Sequence, residues 1–332
     1  FMHFDILRFF CENIVNNPSA QGIPYVDKYD LTVSPFLTAE AAYGRIIEDL
    51  KAAEEIMQEN GEYFDDADKQ NNEFLKDRQI HMNLYAIQGM LARVYWMKGD
   101  LKTAAEYAQK ILDCKYFELV DKSEIEDLIN GVLSPKETIW GLFSANFYTN
   151  VRADLYLSGG SSSLFLKADH DDTYMADKEG TDYRYEKWFK NYSAIEASGM
   201  RCIKVLDTYE LNYATRSDAR VKGVNMLRLP ELYYIITEYY LSIDNQTEAV
   251  KYFDKVLVSR GLTGYADRQG ATLTLEKVIQ ERRKELVCEG QYFFTQKRYN
   301  QNIYEPKSGK IYQASNDIYV LPLPENETEY RY

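Results

Sequence analysis

The densest set of side chains able to hold a small polar ligand lies in Asp182–Tyr192 (DYRYEKWFKNY). Trp188, with Tyr183, Tyr185, Phe189 and Tyr192 near it, supplies flat rings on which the C–H face of a sugar can stack, and the phenols add hydroxyls at the ring edge. Arg184, Lys187 and Asn191 supply donors for sugar hydroxyls or carboxylates. A secondary candidate is Asn146–Tyr156, with Tyr148, Asn150 and Arg152. The competing reading needs no ligand: Trp188 and Phe189 anchor this stretch to helices, and Asp182 and Arg184 form a local structural pair. The chain holds 29 Tyr and 15 Phe but 3 Trp, so many rings must simply pack helices, and composition alone does not choose between the readings.

Covalent, acid–base and metal chemistry have less to work with. The histidines are His3, His81 and His170, and HExxH, GxSxG and P-loop patterns are absent. A glycosidase needs two acids on opposite sides of one bond, and among 52 Asp and Glu nothing singles out a pair. The sequence therefore points to no catalytic residue and no cofactor. Asp169–Asp172 (DHDD) offers hard oxygens for calcium but lacks the glycine and closing glutamate of an EF-hand loop, and reads as a solvated loop with no metal. The net charge of −13 opposes nucleic-acid binding, which needs a basic face. Cys11, Cys114, Cys202 and Cys288 have neither zinc spacing nor a CxxC pair; Cys11, Cys114 and Cys288 fall in helical patterns and read as small core residues.

Something must hold the ring-rich segment, and the periodicity says it is helices. Leu229–Gly261 reads as two amphipathic helices with a turn at Asp244–Asn245, Asn245 as cap and Glu248 as the return partner of a capping box. Leu84–Leu112 reads the same way, with its turn at Gly99–Asp100. An offset of 145 residues carries Leu84 onto Leu229, Leu91 onto Ile236, Asp100 onto Asn245 and Ala104 onto Ala249 without a gap. The small residues at Ala104 and Ala249 let paired helices approach closely. This is the pattern of a tetratricopeptide-like helix pair.

The length suits about two domains. Residues 1–133 read as a helical scaffold that includes the pair at 84–112, with a long helix capped by Thr38 and loops at Asn16–Pro35 and Gly61–Asp77. Residues 134–200 read as an inserted, loop-rich variable lobe: the helical period stops, Glu137–Phe143 suggests a strand, and Ser158–Ser163 is a loop signal. Residues 201–332 hold the second pair (229–261), a long helix over 274–294 and an irregular end over Tyr299–Tyr332. The fold class is thus mostly α, a tetratricopeptide-like scaffold with an inserted lobe. No apolar run is long enough to span a bilayer and no signal peptide is visible, but the chain opens inside a helical pattern and reads as the continuation of something longer.

Several stretches, in order, resemble the SusD/RagB-like outer-membrane nutrient-binding lipoproteins. FMHFDILRFF followed by Gly22–Val26 is similar to the family's first motif, and Thr38–Ala53 to its "T…Y..I..DL..A" helix. Arg228, Leu229, Glu231, Tyr233, Ile235 and Glu238 follow its "RL.E.Y.I..E" helix; Glu281–Arg282, Glu285–Leu286 and Glu289–Gly290 follow "ER..EL..EG". Asp182–Tyr183–Arg184 resembles a D-x-R step in the variable lobe, and Leu321–Pro324 the closing segment. The chain departs from the family at Tyr292 and Thr295, where an Arg and an Asp are usual, so an ion pair there is missing. The resemblance implies a non-catalytic protein on the outward face of the outer membrane, held by a lipid anchor outside this sequence. It would bind an oligosaccharide, or sometimes a peptide, and deliver it to a SusC-like TonB-dependent transporter. The alternative is a helical-repeat scaffold that binds protein segments and has no glycan site.

Overall fold

A computed structural model describes residues 1–30, 32–60, 77–128, 133–144, 173–174, 177, 179–194, 197–202, 204, 223–305 and 308–329. It opens with α1 (Met2–Phe10), then a ribbon of β1 (Gln21–Pro24) and β2 (Phe36–Thr38), then α2 (Ala39–Asn60). β1 lies within the stretch read as loop. Thr38 caps α2 as expected, its Oγ1 accepting from the Ala41 N–H at 3.2 Å.

The repeat is present as two helical hairpins. The first is α3 (Leu84–Lys98) and α4 (Leu101–Leu112). Strand β3 (Thr138–Phe143) follows, then α5 (Tyr183–Trp188) and the hairpin β4 (Phe189–Ala194)–β5 (Ala197–Cys202). Strand β6 (Gly223–Arg228) leads into the second hairpin, α6 (Leu229–Ser242) and α7 (Gln246–Ser259). All four repeat helices start 145 residues from their counterparts, Leu84 against Leu229 and Leu101 against Gln246. Both turns pass through the left-handed region at the equivalent position, Gly99 (φ 91°) and Asp244 (φ 56°). Both are then capped, Asp100 accepting from the Thr103 N–H and Asn245 from the Glu248 N–H. The return half of the capping box is not made. The Asn245 N–H goes to the Tyr240 carbonyl, and the Glu248 carboxylate takes Lys251 instead.

The helices stack in series: α2 on α3, α3 on α4, α4 on α6, α6 on α7. Ala104 and Ala249 are fully buried at the hairpin contacts, where a larger side chain would force the helices apart. One apolar core runs from α1 through α6, with Trp96 and Trp140 inside it. Strands β3 and β6 pair antiparallel, Gly141 against Asn225, so the segment between them leaves and re-enters the scaffold through adjacent strands.

Sequence expectations also fail at the C-terminal end. The long helix over 274–294 is broken: α8 (Leu275–Glu285) and α9 (Tyr292–Arg298) flank a turn where Cys288 (φ 61°) and Gly290 (φ 71°) are left-handed. The break lets Glu289 reach Arg228 and turns Phe294 into the core, which a straight helix could not do together. Cys288 is consequently exposed on that turn and is not a core residue. The end read as irregular holds a hairpin, β7 (Ile303–Glu305) and β8 (Lys310–Tyr312), and the short helices α10 (Asn316–Tyr319) and α11 (Asn326–Glu329).

Candidate functional site

The ring-rich segment is positioned by buried charge. Asp182 accepts from the Arg184 N–H at 3.0 Å and so starts α5. In this short helix Arg184 and Trp188, four residues apart, share one face, and that face is turned into the protein. The Arg184 guanidinium meets Asp182 and Glu281 at 2.7 Å and Glu285 at 3.3 Å. Glu285 also receives Arg228 at 2.8 Å and Arg260 at 2.9 Å, and both of these arginines reach Glu137 beside β3. The side chains of Arg184, Arg228, Arg260, Glu137 and Glu285 are all fully buried. Burial alone would push the Glu285 carboxyl up; the guanidiniums of Arg260 and Arg228 outweigh it and hold it well below the ordinary carboxylate range.

The same logic explains the other motif acids. Glu231 takes Arg93 at 2.5 Å and Arg282 at 2.7 Å, which overcome its burial and bring its carboxyl down to about 2. Glu238 accepts from Trp96 Nε1 at 2.6 Å and pairs with Arg298 at 3.0 Å. The residues of "RL.E.Y.I..E" and "ER..EL..EG" therefore fasten α6 to α8 and α9, and Asp182–Arg184 fastens the lobe to the same network. At the departure from the family pattern, the Thr295 hydroxyl accepts from Arg282 Nε at 3.3 Å, a neutral partner where an aspartate is usual.

This placement corrects the stacking platform. Trp188 has no exposed surface; it packs with Val120, Ile125, Leu128, Tyr174 and Phe189, and the Lys204 ammonium lies 4.1 Å from its ring centre. Arg184 is likewise spent on carboxylates. Tyr183 and Tyr185 are half-buried. The Lys122 ammonium sits 4.7 Å from the Tyr183 ring, and Gly261 lies so close beneath it that a Cβ there would come within 2.5 Å of the phenol. Tyr185 leans on Tyr174 and Phe189, each at 6.2 Å. Asn191 and Tyr192 lie on β4, opposite Met200 and Gly199. Tyr148, with the rest of Asn146–Tyr156, lies outside the described residues, as do Ser158–Ser163 and Asp169–Asp172. Among the described residues, no cluster of three metal-ligating side chains occurs and no helix is long and apolar enough to cross a membrane.

A cleft of mixed polar and apolar lining that the sequence reading missed lies between α8, α9 and β7. It encloses about 480 Å³ and is lined by Gln280, Arg283, Tyr292, Gln296, Asn302 and Tyr304, among others. Carboxamides beside tyrosine rings suit hydroxyl-rich ligands. Its residues are scattered over 29 positions (276–304) and become neighbours only because α8 breaks before α9, so no local pattern announced them.

No curated protein sequence matches the chain. The fold is similar to that of a SusD superfamily protein from Bacteroides thetaiotaomicron VPI-5482, with TM-score 0.76 and 19% identity over 99% of this chain and 73% of that one. It is also similar to a SusD-like carbohydrate binding protein from Bacteroides vulgatus ATCC 8482, with TM-score 0.74 and 17% identity over 98% of this chain and 72% of that one. A third similar structure is surface glycan-binding protein A from Bacteroides uniformis, with TM-score 0.66 and 15% identity over 98% of this chain and 72% of that one. Residues 146–331, more than half of the chain and including the lobe segment, the second hairpin and the buried acids of α8, match the model of the SusD family. This chain belongs to the SusD family.

Proposed function

We propose that the protein captures an oligosaccharide at the cell surface without altering it chemically and passes it to a SusC-like TonB-dependent transporter. It would face outward from the outer membrane on a lipid anchor. The observation that carries the reading is the family match over residues 146–331. Similarly folded proteins described as carbohydrate-binding and glycan-binding support it. So does the state of the acids: Glu285, Glu231 and Asp182, whose carboxyls are all pulled down, are buried against arginines and not poised in a cleft for proton transfer.

With Trp188 and Arg184 committed to the interior, the lobe's ligand face reduces to the outer sides of Tyr183 and Tyr185, with Asn191, Tyr192 and Tyr148 as further candidates. The cleft bounded by Tyr292 and Tyr304 is the second surface. Trp188 is not a clean probe of binding, because truncating a buried indole empties the lobe core.

Affinity gels with a panel of plant and host polysaccharides test the reading. Retention of the wild type by one polysaccharide is expected, with Tyr185→Ala or Tyr304→Ala weakening it at least about tenfold, a loss of ~1.4 kcal/mol. If neither variant changes the affinity, both surfaces are wrong. Retention by no polysaccharide, together with binding of an extended peptide, would favour the helical-repeat scaffold instead.

A further inference from the structure

The β4–β5 hairpin and the turn between α8 and α9 carry one cysteine each where they meet. Cys202 ends β5, opposite Phe189, and is buried in the cluster around Trp188, against which Val287 packs. Two residues on, Lys204 runs along the turn that interrupts α8 and α9. Its ammonium donates to the carbonyls of Glu285 at 2.9 Å and Val287 at 3.2 Å and pairs with Glu289. Lys204 thus ties to 285–289 on both sides of Cys288, and the Cys202 and Cys288 thiols are hydrogen-bonded to each other. Cys288 lies on an exposed turn with its sulfur packed inward against Cys202, whereas Cys202 is buried throughout.

We propose that Cys202 and Cys288 are a redox pair that closes into a disulfide linking the lobe hairpin to the α8–α9 turn. The proposal is independent of the glycan reading. The two thiols have distinct roles. The Cys202 hydrogen bond, aided by the Lys204 ammonium, lowers the Cys288 thiol against its burial, while Cys202 is raised well above its ordinary value by the same hydrogen bond and by burial. Cys288, whose residue lies on the exposed turn, is therefore the attacking thiolate. It attacks a small-molecule disulfide RSSR, forming a mixed disulfide and releasing one RS⁻. Cys202 then loses its proton and attacks the Cys288 sulfur, releasing the second RS⁻. The protein loses two electrons and two protons and RSSR becomes two RSH, so the exchange balances.

The test uses the whole protein and oxidised glutathione. After incubation and acid quench, thiols are alkylated in denaturant and peptides are mapped by mass spectrometry. Alkylatable cysteines are expected to fall from the four in the chain to two, Cys11 and Cys114, with a linked peptide joining Cys202 to Cys288. In Cys202→Ser the reaction should stop one step earlier, leaving glutathione on Cys288. A wild type that keeps all its thiols, that holds glutathione on Cys288 while Cys202 stays alkylatable, or that links any other pair overturns the proposal.

Discussion

Glu285 shows how one side chain can organise a junction. Its carboxylate is met by Arg184 from the lobe, Arg228 from the end of β6 and Arg260 from the end of α7. Buried ion pairs add little net stability over an apolar filling, but removing one partner strands the others. Glu285→Gln should therefore cost about 3–5 kcal/mol, seen as a lower urea midpoint. Glu231 makes the pH dependence explicit. Its carboxyl lies at about 2 in the folded protein against an ordinary 4.5, so the unfolded chain binds more protons between those values. The stability this contributes, roughly 3 kcal/mol, is complete above pH 4.5 and is lost as pH falls toward 2. Urea midpoints measured across that window should fall with pH, and Glu231→Gln should flatten the slope.

At the scale of elements, the two hairpins are separate solutions to one packing problem. Each turn needs a left-handed residue and then a side chain that satisfies the exposed N–H groups of the next helix. Asp100 and Asn245 do this alike, although the capping-box return expected of Glu248 is not made. Asp100→Ala and Asn245→Ala should each cost about 1 kcal/mol by chemical denaturation. Because they serve different hairpins and share no partner, the double variant should show the sum. The repeat was legible from sequence because helix periodicity and caps are local. The break of α8 was not: the apolar spacing runs on through Leu286 and Phe294, and only the reach of Glu289 to Arg228 and Lys204 explains why the chain turns at Cys288 and Gly290.

Over the whole molecule, the net charge of −13 sets how ligands approach. A neutral glycan should associate at a rate indifferent to salt. An anionic polysaccharide should associate slowly at low ionic strength and faster as salt screens the repulsion, measurable by biolayer interferometry in a salt series. Buried Glu137, Glu231 and Glu285 are each met by arginines, so they add little to the field a ligand meets.

From its sequence alone, this chain was identifiable as a helical-repeat protein with an interrupted period between its hairpins, because amphipathic spacing, turn residues and caps act over a few residues. The order of the buried-acid motifs placed the family for the same reason. What each motif residue does was decided only by the tertiary structure. Arg184 and Trp188 have the composition of a ligand platform, but which way a short helix turns its face depends on partners about a hundred positions away, Glu281 and Glu285 on α8. Burial of a charge is a property of that three-dimensional meeting, and no pattern within eleven residues can specify it.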